Sequence, residues 1–246
     1  MNSIKTLLIL AGGKGTRFKE YTKEIPKPMI EACGKPLLVH IIEIYKKFNI
    51  ENVIVLGGYK QSVIIEYFDK NFRRFNGNNT FKFDDKICVN ILDTGEESMT
   101  GWRVKKGIES STDENFYMTY GDGLGNIDID KLTELHFERN TLATLTAVRP
   151  PARFGSIAID NSRVTRFGEK ENTDEGWING GFFILNRKVA DIIENEDTVF
   201  EKFPLEQLAN SNNLSAYQHS GFWQPCDTIR ELELLEKAIR QGKLES

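Results

Sequence analysis

Glycines, a hydroxyl and basic residues cluster directly after an apolar run near the start of the chain. Gly12, Gly13 and Gly15 lack a Cβ, so their backbone N–H groups can approach an anion closely. Thr16 adds a hydroxyl donor, and the planar guanidinium of Arg17 can donate to two phosphate oxygens at once. This combination of residue types predicts a loop that holds a polyphosphate.

A lysine between two prolines follows this loop. Pro26 and Pro28 restrict the backbone on both sides of Lys27, so the ammonium is delivered from a stiff segment. An exposed loop lysine is the alternative, but the paired prolines disfavour it. We expect Lys27 to return to the glycine loop and to act on the same phosphates.

Two common glycine motifs do not account for the loop. A Walker-type P-loop needs four residues between its first glycine and its Gly-Lys-Ser/Thr end, and this spacing is absent. A dinucleotide fingerprint needs a third glycine where this chain has Phe18. The loop is therefore a different kind of phosphate-binding turn.

An aspartate between two glycines follows a predicted strand at residues 116–120. Ligands bind outside the carboxyl ends of strands in open α/β sheets, and Mg²⁺ prefers few carboxylates together with phosphate oxygens. Asp122 is therefore a candidate magnesium ligand, with an ordinary Asp-Gly turn as the alternative.

Asp227 is a second candidate ligand for the same cation. It stands directly before an amphipathic helix predicted at residues 228–241, where an aspartate is also a natural N-cap. The sequence leaves both roles open.

Two further segments could bind the second substrate. Lys170 follows a predicted hairpin, and Asn179 opens a predicted strand. A lysine and an amide on loops could hold a phosphate and a hydroxyl group. A solvated charge and a simple turn are the alternatives.

The order of the predicted elements indicates the fold class. Aliphatic strands alternate with amphipathic helices through residue 148, which is typical of βαβ units and a mostly parallel sheet. A hairpin is predicted at residues 155–160 and 163–167, as a small insertion in the second half. We expect a Rossmann-like α/β fold in which residues 1–246 form a single domain.

Composition excludes several other classes. The net charge of −4 argues against binding to nucleic acid or to an anionic membrane. The apolar run before Gly12 is too short for a membrane span, and the odd number of scattered cysteines suggests free thiols. We therefore expect a cytoplasmic protein without a membrane or nucleic-acid partner.

These residues together resemble the sugar-phosphate nucleotidyltransferases, and most closely the bacterial glucose-1-phosphate cytidylyltransferases. The signature loop at residues 10–17 and Pro26-Lys27-Pro28-Met29 identify only the wider group. Narrower blocks extend the resemblance over nearly the whole chain: Asp93-Thr94-Gly95, Ser98-Met99-Thr100-Gly101 with Arg103, Thr119-Tyr120-Gly121-Asp122-Gly123, Arg153-Phe154-Gly155, Ile178-Asn179-Gly180-Gly181-Phe182-Phe183 and Gly221-Phe222-Trp223-Gln224-Pro225.

The resemblance implies a cytidylyltransferase that joins CTP to a phosphorylated acceptor such as glucose 1-phosphate, with Mg²⁺ as cofactor. It also implies a homo-oligomer that supplies activated sugars for cell-surface polysaccharide. The family's nucleotide contacts fall on Gly12, Gly13, Gly15, Thr16, Arg17, Lys27, Ser98, Arg103 and Gly121. Its metal ligands fall on Asp122 and Asp227, its acceptor site on Lys170, Asn179 and Trp177, and its catalytic cations on Arg17, Lys27 and Lys170.

The chain departs from the family pattern around the acceptor. Trp102 stands where a small residue is usual, Trp177 is also unusual, and the segment between Phe81 and Asp93 is shorter. These departures leave open a non-sugar acceptor such as a polyol phosphate, choline phosphate or glutamine phosphate. An inactive nucleotide-sugar sensor on the same fold and a glycosyltransferase are alternatives from other classes. The latter would give Lys27 and the glycine loop no role.

Overall fold

The computed structural model describes residues 4–15, 24–77, 79–150, 156–160, 163–168 and 176–245. Its strands are β1 (Thr6–Leu10), β2 (Glu31–Ala32), β3 (Lys35–Pro36), β4 (Asn52–Gly57), β5 (Arg73–Arg74), β6 (Thr80–Lys82), β7 (Cys88–Asp93), β8 (Asn115–Tyr120), β9 (Gly123–Gly125), β10 (Ala143–Val148), β11 (Ser156–Asp160), β12 (Arg163–Gly168), β13 (Ile178–Asn179), β14 (Phe183–Asn186), β15 (Leu214–His219) and β16 (Trp223–Pro225). Its α-helices are α1 (Leu37–Lys46), α2 (Gln61–Asn71), α3 (Thr100–Glu109), α4 (Ile129–Arg139), α5 (Phe203–Asn210) and α6 (Ile229–Arg240). Short 3₁₀ helices span Lys27–Met29 and Arg187–Ile192.

The centre of the main sheet is parallel, and its flanks are antiparallel except for β15, which pairs in parallel with β10. Within the described residues the strand order is β13-β10-β14-β8-β1-β4-β7-β6-β5, with β15 pairing alongside β10. Strand β1 pairs in parallel with β4 and β8, and β4 pairs in parallel with β7. Since parallel strands place their carboxyl ends at one edge, the loops after β1, β4, β7 and β8 meet there.

Both faces of the sheet are covered, as the uninterrupted apolar run of β1 requires. Successive side chains of a strand point to opposite faces. Leu7 and Ile9 accordingly pack into one hydrophobic cluster, and Leu8 and Leu10 into another. All of them are buried, which explains why β1 has no alternation of polar and apolar residues.

The fold class predicted from the sequence is confirmed, with a mixed sheet flanked by helices, and the helix predicted at residues 228–241 spans Ile229–Arg240. The predicted insertion is present as the antiparallel pair β11–β12. The short segment between Phe81 and Asp93 forms the β6–β7 hairpin, whose turn is closed by Asp84 accepting from the backbone of Ile87 at 2.7 Å.

The assignment of residues 1–246 to a single domain stays a prediction. Among the described residues, no helix combines the length and apolar character that crossing a bilayer would require.

Candidate active site

A cavity of about 740 Å³ opens at the carboxyl edge of the parallel strands. Its size lies within the range of typical small-molecule sites. The residues that line it come from the loops after β1, β7 and β8, and from the start of α6: Leu10, Ala11, Gly12, Gly13, Lys14, Gly15, Lys27, Pro28, Glu96, Glu97, Ser98, Met99, Thr100, Arg103, Tyr120, Gly121, Asp122 and Asp227. The glycine loop and Lys27 therefore share one cavity, as predicted.

Lys27 joins two carboxylates that are far apart in the sequence. Its Nζ donates to Asp122 Oδ2 at 2.7 Å and to Asp227 Oδ1 at 2.6 Å. The lysine side chain is only 9% exposed, whereas Asp122 is 38% and Asp227 23% exposed. One buried ammonium thus holds two carboxylates side by side at the cavity wall.

Local backbone structure aims Lys27 at this point. Pro26 and Pro28 enclose it in a 3₁₀ turn, which is closed by Met29 N–H donating to Pro26 O at 2.8 Å. Burial lowers the pKa of Lys27, but the adjacent carboxylates of Asp122 and Asp227 outweigh this effect and raise it. The side chain therefore remains a cation near neutral pH.

Asp227 is not the N-cap of α6. The cap is Thr228, whose hydroxyl accepts from Glu231 N–H at 3.2 Å. Glu231 in turn accepts from the backbone N–H of Asp227 at 2.8 Å. The Asp227 carboxylate is left to pair with Lys27, so the N-cap alternative is wrong.

Asp122 is fixed by the backbone on both sides. Its carbonyl accepts from Cys226 N–H at 2.8 Å, which ties the β8–β9 turn to the start of α6. Gly121 before it donates its N–H to Leu10 O at 2.9 Å, and lies close to the Pro28 ring. These contacts bring the loops that carry Asp122, Lys27 and Asp227 together.

Arg103 joins the loops under the cavity. Its guanidinium donates to the carbonyl oxygens of Gly57, Gly95 and Glu96, at 2.8, 2.8 and 3.1 Å. It is only 3% exposed. A Cβ on Gly12 would lie 2.1 Å from its Nη1, so the glycine loop packs directly against this cation. Arg103 is thus both a structural tie and a positive charge beneath the predicted phosphate loop.

Ser98 and Lys14 both line this cavity. Ser98 is buried, just ahead of helix α3. Lys14 pairs with both carboxylate oxygens of Glu97, at 2.7 and 2.8 Å, so the glycine loop is tied across the cavity mouth. Both partners are largely exposed, which makes this a weak and salt-sensitive contact.

Asn179 approaches the cavity through Tyr120 rather than lining it. Its Nδ2 donates to Tyr120 Oη at 3.2 Å, and its Oδ1 accepts from Gly181 N–H at 2.9 Å. Gly181 has φ +75°, and a Cβ there would lie 2.9 Å from Tyr120 Cδ2. The Asn-Gly-Gly block therefore supplies both the amide and the space for the tyrosine ring.

The two unusual tryptophans lie outside the cavity wall. Trp177 is 39% exposed, with the Arg149 guanidinium 5.0 Å from its ring centroid. Trp102 packs beside the second hydrophobic cluster, and its ring lies under the ammonium groups of Lys105 and Lys106. Trp102 is therefore not among the residues that line the cavity.

Three predicted site residues, Thr16, Arg17 and Lys170, lie outside the described residues.

The pair of carboxylates suits a hard cation that also binds phosphate oxygens. Asp122 and Asp227 offer oxygen donors beside the glycine loop, and Mg²⁺ is commonly held by one or two carboxylates plus substrate phosphates. Within the described ranges, no cluster of three or more His, Cys, Asp or Glu side chains could hold a metal by itself. The donor set therefore fits a cation that takes its remaining ligands from phosphate oxygens.

Sequence reasoning did not single out Tyr120 or Glu201. Tyr120 belongs to a motif block that drew attention to Asp122, and its ring lines the cavity. Glu201 accepts from the Tyr120 hydroxyl at 2.7 Å. No local pattern marks Glu201, because only the fold brings it to β8.

The fold and the cavity define the class of the protein: a nucleotide-binding α/β enzyme with a glycine loop and paired carboxylates at the edge of its sheet. The chain belongs to the nucleotidyl transferase family, whose model matches residues 6–239. The resemblance found in the motifs is thereby confirmed.

Curated relatives and solved structures agree with this assignment. The chain is 42% identical to glucose-1-phosphate cytidylyltransferase of Salmonella typhi, over 96% of each chain. It is 36% identical to a probable glucose-1-phosphate cytidylyltransferase of Bacillus subtilis, again over 96% of each. The crystal structure of HddC from Yersinia pseudotuberculosis complexed with GMP-PN superposes with a TM-score of 0.73 at 24% identity, covering 96% of this chain and 100% of that one. This last likeness concerns the fold alone.

Proposed function

We propose that the protein is a CTP-dependent cytidylyltransferase that joins CTP to a sugar phosphate, glucose 1-phosphate above all, and releases pyrophosphate. One observation carries the chemistry: Lys27 pairs with Asp122 and Asp227 in the cavity that the glycine loop also lines. The choice of CTP and glucose 1-phosphate is supported by the glucose-1-phosphate cytidylyltransferases of Salmonella and Bacillus among its relatives.

The proposed reaction is an in-line displacement at the α-phosphorus of CTP. An oxygen of the acceptor phosphate forms the new P–O bond, the bond to the β-phosphate oxygen breaks, and pyrophosphate leaves with that electron pair. A phosphate monoester is already largely dianionic at neutral pH, because its second pKa is about 6. The attack therefore needs no general base, and the task of the protein is to bring anions together.

Lys27, Asp122 and Asp227 carry out this task in the proposal. The Lys27 ammonium offsets the negative charge that builds up on the triphosphate as pyrophosphate leaves. Asp122 and Asp227 would hold the divalent cation, for which we propose Mg²⁺. When bound, Mg²⁺ would neutralise phosphate charge and orient the reacting groups. Lys27 also keeps the two carboxylates together without the cation.

The remaining site assignments are proposals of the same kind. We assign nucleotide contacts to Gly12, Gly13, Gly15, Thr16, Arg17, Ser98, Arg103 and Gly121, and the acceptor site to Lys170, Asn179 and Trp177, with Arg17 and Lys170 as further catalytic cations. Arg103 stabilises the phosphate loop from below, because Gly12 packs on its guanidinium. We also propose a cytoplasmic homo-oligomer that supplies activated sugars for cell-surface polysaccharide.

A non-sugar phosphate acceptor, such as glutamine phosphate or a polyol phosphate, is the second candidate. Trp177 favours it: this exposed aromatic ring lies two residues before Asn179 and stacks with Arg149. An aromatic ring and a guanidinium beside the acceptor amide could contact groups that glucose lacks.

Pyrophosphate release tests both candidates together. The wild-type protein is incubated with Mg²⁺, each of the four nucleoside triphosphates, and a panel containing glucose 1-phosphate, other sugar phosphates, a polyol phosphate, choline phosphate and glutamine phosphate. We expect release with CTP and glucose 1-phosphate, and a CDP-linked product by mass spectrometry. Release only with a non-sugar phosphate would support the second candidate. Binding of CDP-glucose without release from any pair would identify an inactive sensor.

A further inference from the structure

Glu201 bonds to two side chains that line the cavity. One carboxylate oxygen accepts from the Tyr120 hydroxyl at 2.7 Å, and the other accepts from the Thr100 hydroxyl at 2.7 Å. Thr100 opens helix α3, and its hydroxyl also accepts from Phe200 N–H at 2.9 Å. Both Tyr120 and Thr100 line the cavity. The carboxylate therefore fixes two cavity side chains from behind.

A chain of hydrogen bonds ends at the Glu201 carboxylate, and each donor in it points toward Glu201. Gly181 N–H donates to Asn179 Oδ1 at 2.9 Å, which fixes the amide so that its nitrogen faces Tyr120. Asn179 Nδ2 then donates to Tyr120 Oη at 3.2 Å, and the Tyr120 hydroxyl donates its only proton to Glu201. Tyr120 Oη, which already accepts from Asn179 Nδ2, keeps one lone pair for a second donor. Asn179 Nδ2 keeps a second N–H that bonds to none of the described residues.

Packing also fixes Tyr120 within this chain of hydrogen bonds. Its ring is held edge-on against Phe183, with centroids 6.1 Å apart, and on the other side by the glycine backbone at residue 181. The hydroxyl position is therefore set by packing as well as by Glu201.

We infer that Glu201 is a positioning residue of the acceptor subsite, which orients Tyr120 and Asn179 as a matched pair for a hydroxyl group of the acceptor. A hydroxyl can donate to Tyr120 Oη and accept from Asn179 Nδ2, which satisfies both partners at once. A quaternary ammonium or a methyl group can do neither. The subsite thus selects acceptors that carry hydroxyl groups beside their phosphate. This inference rests on the proposed function.

Steady-state kinetics with each substrate varied in turn tests the inference. In Glu201→Gln we expect the KM for glucose 1-phosphate to rise about tenfold, because a hydrogen bond to a charged group is replaced by a weaker one. The KM for CTP should stay within about twofold of wild type. Glu206→Gln, on the exposed side of α5, is the matched control and should leave both KM values unchanged.

Tyr120→Phe and the double variant complete the experiment. Tyr120→Phe keeps the ring packing and should raise the same KM, which preserves the test if Glu201→Gln folds poorly by its melting temperature. The double variant should resemble Tyr120→Phe alone, because both changes break one chain of hydrogen bonds. Equal changes in both KM values, additive effects, or no change in the KM for glucose 1-phosphate would overturn the inference. A wild-type protein that releases no pyrophosphate with any hydroxylated phosphate would overturn the proposed function itself, and the inference with it.

Discussion

At the scale of single residues, Lys27 is the centre of the site. It is buried, it contacts two carboxylates from distant parts of the chain, and its backbone is held between two prolines. A buried ammonium placed this way costs desolvation, which the two carboxylates offset. The same residue is in place to meet a phosphate, so one side chain assembles the site and is proposed to act in it.

Lys27→Met should lower the turnover of pyrophosphate release by about 100-fold or more, since loss of one charged contact to a transition state typically costs about 2.7–4 kcal/mol. Methionine keeps the length of the side chain and removes only the charge and its hydrogen bonds. Turnover and melting temperature are measured together, so that loss of activity is separated from loss of folding.

Lys35→Met is the matched control for this change. Lys35 forms an ion pair of similar length with Glu43, at 2.7 Å, but it is more exposed than Lys27 and lies outside the residues that line the cavity. Its variant should keep the wild-type turnover. Similar turnover in both variants would remove Lys27 from the mechanism.

At the scale of elements, two adjacent residues at the start of helix α6 have different roles, one in capping the helix and one in the site. Thr228 caps the helix, and Asp227 faces Lys27. We predict that Thr228→Ala lowers the free energy of unfolding by about 1 kcal/mol and reduces turnover less than tenfold. Asp227→Asn should have only a small effect on the free energy of unfolding, but should lower turnover by about 100-fold. Urea unfolding and the pyrophosphate assay measure both, and swapped effects would restore Asp227 as the cap.

The turn before strand β14 gives a second prediction at this scale. Gly181→Ala places a Cβ in a positive-φ conformation and 2.9 Å from the Tyr120 ring, whereas Gly34→Ala meets only the strain, since nothing lies within 4 Å of a Cβ at φ +76°. Both should lose about 1 kcal/mol of stability by this strain. Only Gly181→Ala should raise the KM for the acceptor. Equal KM values in the two variants would exclude a role of this turn in the acceptor subsite.

Sequence patterns predicted the features that depend on residues close together in the chain. The strand at β1 and the return of the proline-flanked Lys27 to the glycine loop are confirmed, because each depends on a short local pattern, whereas their phosphate contacts stay predictions. The role of Asp227 could not be decided, since both it and Thr228 suit a helix cap, and the choice depends on a lysine 200 residues away. Strands β9 and β16 were missed because each is only three residues long and they pair with each other at long range.

At the scale of the whole molecule, the chain contains three histidines, and burial lowers the pKa of each of them. The largest effect lowers the pKa of His136 from 6.5 to about 4. The folded state then binds fewer protons than the unfolded state between these values. Stability is therefore full above pH 6.5 and falls as the pH drops toward 4.

His136 alone should remove about 1 kcal/mol of unfolding free energy between pH 7 and pH 5.5, above the range in which most carboxylates titrate. Urea unfolding at the two pH values measures this loss. His136→Gln should show a smaller loss, because glutamine takes up no proton in this range, and it can keep the hydrogen bond that His136 makes with Thr144 at 2.8 Å. An unchanged loss in His136→Gln would show that the histidine does not titrate between the two states.

The proposed function depends most directly on whether the protein catalyses the proposed reaction. The decisive measurement is pyrophosphate release with CTP, Mg²⁺ and glucose 1-phosphate, by the wild-type protein and by Asp122→Asn. We predict release that requires both substrates, equals the CDP-glucose formed, and slows about 100-fold or more in Asp122→Asn. Release at the wild-type rate in Asp122→Asn, or no release by the wild type with any phosphorylated acceptor, would contradict it.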